Sequence, residues 1–334
     1  MAERSAESRP GKRARTEDAN PGPIKRSEKI WFDDGNLVVQ AEQTQFRVHK
    51  SVLAKHSLFF RDLKDLPQPD TPEASVDGCP VVELQDEALA VSFMLFVIYD
   101  TAYAEHYGRL KELLLALRMG HKYLVPALFN DAAERLRVYF PTTLEEWDSE
   151  DFAIWDHAGE EGFHSTMLEL YNVVKRVGHD RSLPMLCLFL LMTFGLVSIP
   201  TSPKHSGRLA LDAEDRVMLL LGRAKILGTQ QTYSLRWMRS DWVNPQCQAR
   251  KECAKARVSG CVAHLALAEP QPALFNSFVL HGWGDFSLYT QRMCPSCQEK
   301  SESVHNKGRR KFWEDLPSFF GLSPWGELKD FTIE

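Results

Sequence analysis

WFDDGNLVVQAEQTQFRVHKSVLAKHSLFFRD, residues Trp31 to Asp62, is the stretch from which the architecture of this chain can be read. Leu37, Val38 and Val39 form a short apolar, β-branched run after Gly35-Asn36, which predicts a strand. Gln45-Phe46-Arg47-Val48-His49 alternates polar and apolar, the period of a half-buried second strand. Ala41 to Thr44 is polar and short enough to close a hairpin. From Lys50 to His56 the period changes, with Val52 and Leu53 facing inward on a short helix. Ser57 can cap a further turn carrying Leu58, Phe59, Phe60 and Leu63, its hydroxyl accepting from an orphan first-turn N–H. The predicted order is hairpin, short helix, short helix.

Outward from this stretch, Val81-Val82-Glu83-Leu84 predicts a third strand, and Leu66 to Pro72 a loop that its prolines keep from being helical. Asp86 caps an apolar helix holding Leu89, Phe93, Phe96, Val97 and Tyr99, a composition that belongs in the middle of a domain. Leu110, Leu113, Leu114 and Leu117 make one apolar stripe. Pro126 opens a helix lined by Leu128, Ala132, Leu136 and Tyr139, which ends before Pro141. Beyond Pro141 the strand signals nearly vanish. Thr143-x-x-Glu146 is a capping box, Phe152 to Ala158 continues a helical pattern, and Met167, Leu168, Tyr171, Val174 and Val177 share one face. The apolar run Leu183 to Phe194 is too short to span a bilayer and reads as a buried helix. Asp212 caps a helix through Ile226. The fold class is α+β: a small sheet flanked by helices, then a mostly α-helical C-terminal domain.

The segment Phe46-Arg47-Val48-His49-Lys50-Ser51-Val52-Leu53-Ala54, followed by Ser57-x-x-Phe60, resembles the BTB/POZ domain family. In that family F-x-A-H-[KR]-x-[VI]-L-A-x-x-S-x-x-F marks the second strand and the first two helices; here Val48 stands where alanine is usual. The lead-in Trp31 to Asn36 and the ending Phe320-Gly321-Leu322-x-x-Trp325 further resemble BTB proteins of mushroom-forming fungi. The residues themselves read as a disordered basic and polar tail over 1–29 and a helical domain with a Cys- and Trp-rich end over 141–334; the resemblance implies a BTB/POZ-like domain over residues 30–140. It also implies a charged pocket for a partner near a dimer groove, whose acidic and basic members fall on Asp34 and Lys50 with His49 beside them. On the residues alone, His49 is either a histidine hydrogen-bonded to backbone or a ligand or base, and Asp34 with Lys50 a solvated surface pair.

A length of 334 residues suggests two domains, and 25% charged with 44% hydrophobic residues is an ordinary globular balance. The net charge of -5 argues against broad nucleic-acid affinity. Seven cysteines with no N-terminal apolar segment point to a reducing compartment and to free thiols or a metal site. Cys294-Pro295-Ser296-Cys297 has the spacing that lets two thiolates reach one zinc ion. Cys247 and Cys253 can supply the other half of a structural zinc site, with Cys261, His264, His281 or His305 as substitutes; ordinary thiols are the other reading. The aromatics from Phe312 to Trp325 read as a tail packed back on the helices or as a docking motif.

No phosphate-cradling loop, G-x-S-x-G elbow or H-E-x-x-H pair is present, and nothing positions Glu160 and Glu161 as an acid/base pair. The expected function is a non-catalytic protein–protein interaction adaptor working through the BTB/POZ-like domain, with protein partners and a homodimer, and without nucleic acid or membrane. The alternatives are a substrate adaptor of a cullin-type ubiquitin ligase and a nuclear transcriptional regulator. For the first, cullin-binding relatives carry an apolar-x-Glu patch where this chain has Leu63-Lys64-Asp65. For the second, Lys12-Arg13-Ala14-Arg15 fits a short nuclear-import pattern or a solvated tail. The expected location is intracellular, nuclear or cytoplasmic.

Overall fold

A computed structural model describes residues 23–63, 75–100, 107–149, 162–193, 210–230, 232–239, 244–266 and 280–334. Two compact units are formed, Met1–Lys50 with Gln68–Ser92 and Ser51–Pro67 with Phe93–Glu334.

The first unit is built on a five-stranded sheet. Its strands are β1 (Lys25–Trp31), β2 (Leu37–Ala41), β3 (Thr44–Val48), β4 (Ser75–Val76) and β5 (Cys79–Leu84), in the order β1-β3-β2-β5-β4. The expected hairpin is β2 against β3, in antiparallel register with Val39 opposite Phe46 and Ala41 opposite Thr44. Two residues close it, and Glu42 takes the left-handed conformation, φ 50°. Leu37, Val38, Val39 and Ala41 are all buried, so β2 is covered on both faces. That follows from its central place, with β5 running parallel on its other side. Gln40 and Gln45 lie opposite each other and their amides bond at 2.8 Å.

Two strands escaped the sequence reading. β1 begins at Lys25, inside the stretch expected to be a disordered tail, and pairs parallel with β3. Only Ile30 of β1 is buried, so its sequence carries no hydrophobic period; backbone pairing alone makes it a strand. β4 joins β5 through Asp77-Gly78, both at positive φ (52° and 77°), the two-residue turn that asparagine- or aspartate-glycine favours. The basic cluster Lys12 to Arg15, the Leu66–Pro72 loop and the helical pattern at Phe152–Ala158 lie outside the described residues.

The connecting helices are α1 (Lys50–His56), α2 (Leu58–Leu63) and α3 (Ala88–Tyr99). Ser57 caps α2 as expected: its hydroxyl accepts from Phe60 N–H at 3.1 Å and donates to the Tyr123 carbonyl at 2.6 Å. Phe60 then stacks on the Tyr123 ring, centroids 5.7 Å apart. In α3 the buried residues are Ala90, Val91, Phe93, Met94 and Leu95, whereas Leu89 is 62% exposed. A helix apolar nearly all round does not reveal which side faces out.

The second unit continues with α4 (Leu110–Lys122), α5 (Pro126–Leu136), α6 (Leu144–Asp148), α7 (Phe163–Val177), α8 (Leu183–Thr193), α9 (Ala213–Gln230), α10 (Arg250–Ala266), α11 (Ser287–Thr290) and α12 (Pro295–Phe319). Leu110, Leu113, Leu114 and Leu117 are buried on α4, and Leu128, Ala132 and Leu136 on α5. Glu146 and Thr143 form the expected capping box of α6. Residues on both sides of Phe140 share this unit, with α7 held to α4 by Arg118–Glu169 at 2.7 Å. Every residue of α8 from Leu183 to Leu191 is buried. The Asp212 carboxylate accepts from Asp215 N–H at 2.7 Å, capping α9, which runs four residues beyond Ile226.

The C-terminal tail is tied back by backbone bonds. Asp180 N–H donates to Lys329 O and Phe331 N–H to Gly178 O, while the Asn130 amide bonds both backbone groups of Ile333. Beneath this clamp His179 is 1% exposed, 3.5 Å from Asp330. Burial holds its imidazole below the ordinary value, against the pull of Asp330 and with the push of Arg137. His305, also buried, is lowered by burial too. The unfolded chain, with histidine pKa values near ~6.5, therefore binds more protons than the fold below that pH. Stability present above pH ~6.5 is lost on acidification, at up to ~1.4 kcal/mol per pH unit for each such histidine. Denaturant midpoints measured from about pH 7.5 to about pH 5.5 should fall, and His179→Gln should flatten the slope. An unchanged slope in that variant would contradict the neutral, buried state of His179.

Candidate functional site

The first set of candidate residues lies where β1 and β3 lead out of the sheet. The loop Phe32–Asn36 is shaped by Gly35 N–H to Phe32 O at 2.9 Å and Asn36 N–H to Val48 O at 3.0 Å. The Asn36 side chain accepts from Lys50 N–H at 2.8 Å, satisfying one of the orphan donors at the start of α1. This geometry sets Asp34 Oδ1 3.1 Å from His49 Nε2, with the Phe32 ring 5.3 Å from the imidazole. The hydrogen bond from His49 holds the Asp34 carboxyl below the usual carboxylate range. Asp34 is 85% exposed, so the pair is a screened surface contact. Of the three expected pocket residues the structure joins Asp34 to His49. Among the described residues Lys50 forms no ion pair; its backbone, through Asn36, is what binds it to this loop.

The second set lies on the helices of the C-terminal end. Cys247 stands in the turn before α10, Cys253 in the first turn of α10, Cys294 at the N-cap of α12 and Cys297 in its first turn. Pro295 at the first helical position presets the backbone of α12, so that the C-x2-C pair flanks one turn. The four sulfurs lie within 4.8 Å of one another. All four are free thiols, with Cys253 and Cys297 buried and Cys247 and Cys294 half-buried. They border a small core of Trp237, Met238, Ala256, Phe286 and Met293.

Asn244 ties the two segments together. Its amide donates to Ser296 O at 3.0 Å and to Cys297 Sγ at 3.6 Å, while its oxygen accepts from Gln246 N–H at 3.1 Å. Cys294 N–H donates to Cys253 Sγ at 3.2 Å. Backbone N–H groups of Gln248 and Cys297 draw the Cys294 thiol down to about 6, whereas burial pushes Cys253 and Cys297 up. The sequence gives no sign of Asn244; a lone asparagine 52 residues upstream of Ser296 carries no spacing signal. Of the substitute ligands considered, His305 turns both ring nitrogens to backbone carbonyls, of Ser234 at 3.0 Å and His281 at 2.8 Å. His281 instead faces Asp285 at 3.8 Å. The side chains of Cys261 and His264 lie outside the described residues.

The C-terminal aromatics pack inward. Phe312, Trp313, Leu316, Phe319 and Phe320 are buried. Trp313 Nε1 donates to Thr142 O at 3.2 Å, and Trp325 Nε1 to Trp313 O at 2.7 Å with the two indoles stacked. These rings serve the core.

A family model for the BTB/POZ domain matches residues 27–138. Neither a curated protein nor a solved structure matches the chain. A BTB/POZ domain is therefore present, a small curled sheet with helices, and a mostly helical region follows it. Domains of this family are protein–protein interaction modules and are generally non-enzymatic. Among the described residues no helix is long and apolar enough to cross a membrane.

Proposed function

We propose that this protein is a non-catalytic adaptor that holds protein partners, a second copy of itself included, through its BTB/POZ domain. The domain match over residues 27–138 carries the reading. β1 supports it as the outermost strand on its side of the sheet, where an added strand can pair. Lys25, Arg26 and Lys29 on β1 work against open-ended stacking while leaving a charge-matched partner welcome.

The strength of self-association follows from the pairing seen in one chain. β1 already bonds β3 of its own molecule. Exchanging β1 between two copies would replace those bonds with equivalent ones, so the gain must come from other contacts. A dimer with a Kd near ~1 μM or weaker is expected. Sedimentation of the full chain from about 1 to about 50 μM should show concentration-dependent association. A strict monomer across that range removes the homodimer from the reading. Purification from the native cell with partners attached then assigns the pathway. A cullin would make the chain a ubiquitin-ligase adaptor, and a chromatin complex a nuclear regulator, for which the Lys12–Arg15 cluster is the address. Recovery of no protein partner would overturn the adaptor.

A further inference from the structure

We propose that Cys247, Cys253, Cys294 and Cys297 bind one Zn²⁺ in a closed structural site that staples the start of α10 to the start of α12. The inference stands on the helical region and is independent of the adaptor reading. Zinc–thiolate bonds of ~2.3 Å in a tetrahedron put the sulfurs about 3.8 Å apart. The observed sulfurs lie within 4.8 Å of one another. Closing each edge by about 1 Å or less needs only small side-chain rotations. A multi-iron cluster sets metals between its ligands and needs the thiols spread wider. The donor set is all sulfur, which suits a soft or borderline ion and disfavours calcium and magnesium, whose ligands are oxygens.

The surroundings are those of a thiolate site. The Asn244 amide points at Cys297 Sγ, and the Cys294 N–H at Cys253 Sγ. Such donors orient metal-bound sulfur and spread its charge. Binding converts four thiols and Zn²⁺ into a tetrathiolate complex of net charge -2, releasing up to four protons to the buffer, with no electron transferred. That charge sits at the first turn of α12, where the helix dipole favours an anion. Four protein ligands fill the coordination sphere, so no water-bearing position is left and the ion acts on stability. The ion would bridge segments separated by the chain from Cys253 to Cys294, adding to the ties made by Asn244 and the Trp237–Phe286 contact.

The test uses the full chain, purified under reductant without added metal. About one equivalent of zinc is expected by elemental analysis, and Co²⁺ exchange should give the visible bands of tetrahedral cobalt thiolate. Cys294→Ser, at a half-buried ligand, should retain less than about a tenth of an equivalent after dialysis against a weak chelator. Cys79→Ser, in the sheet, should keep the full equivalent. Chelation of the parent should speed amide exchange at residues 294–301 by about tenfold or more. Three results would overturn the site: under about a tenth of an equivalent with no cobalt bands, undiminished zinc in Cys294→Ser, or iron or copper in place of zinc. The cobalt spectrum reads thiolate ligation directly, so it remains decisive where a variant folds poorly.

Discussion

Gly308→Ala is expected to cost about 2 kcal/mol of stability or more, enough to disturb the packing of α12. A Cβ at position 308 would stand 2.3 Å from Ser234 N, 2.3 Å from Tyr233 C and 2.5 Å from Ser234 Cα. All three are backbone atoms, so no side chain can swing away. Nor can the segments part easily. His305 Nδ1 meets Ser234 O at 3.0 Å, Tyr233 donates its hydroxyl to Asp315 at 2.7 Å, and the buried Arg309 donates to Leu280 O at 2.9 Å and to the Asp148 carboxylate. Alanine would gain about 1 kcal/mol of helix propensity, against overpacking that commonly costs about 1–3 kcal/mol and more where backbone must move. The clash wins. Gly228→Ala, where the added Cβ meets nothing within 4 Å in α9, should instead stabilise by up to about 1 kcal/mol. Urea unfolding of the pair checks the contrast; a parental midpoint for Gly308→Ala would refute the close crossing of α12 over Ser234.

Leu53→Asp and Phe60→Asp should abolish soluble expression, whereas Lys55→Glu should be tolerated. Leu53 is 0% exposed and Phe60 2%, while Lys55 is exposed. Each aspartate forfeits about 1.5–3 kcal/mol of apolar burial and adds an uncompensated carboxylate costing several more. A domain holds only about 5–15 kcal/mol in total. For Phe60 the stack on Tyr123 and the edge contact with Phe59 are lost as well. Soluble yield and thermal melting of the three variants decide it. Equal yields would mean that the inward faces of α1 and α2 are wrongly assigned.

The residues that were legible share one property: their signals lie within a few positions of each other. The β2–β3 hairpin, the Ser57 cap, the Thr143–Glu146 box and the stripe from Leu110 to Leu117 are set by local periods and by hydroxyls or carboxylates reaching the nearest N–H. The Asp77-Gly78 turn was equally local and was passed over. The x2 spacing of Cys294 and Cys297 marked half of the thiol cluster; for the other half the sequence offered Cys247 and Cys253 beside Cys261 and three histidines, and the fold gathers the first two.

By itself the sequence determined the α+β order, the inward faces of the amphipathic helices and which thiols were candidates. Only the tertiary structure decided that β1 is a strand, that Leu89 faces out of an otherwise apolar helix, and that Asp34 turns to His49. It alone brought Asn244 to the cysteines, Ser234 against Gly308, and the tail from Leu328 back over His179. Helical and strand periods are written by neighbours three, four or two residues apart. A contact across fifty or two hundred residues depends on where whole elements come to rest, and that is set by the summed burial and backbone pairing of the folded chain.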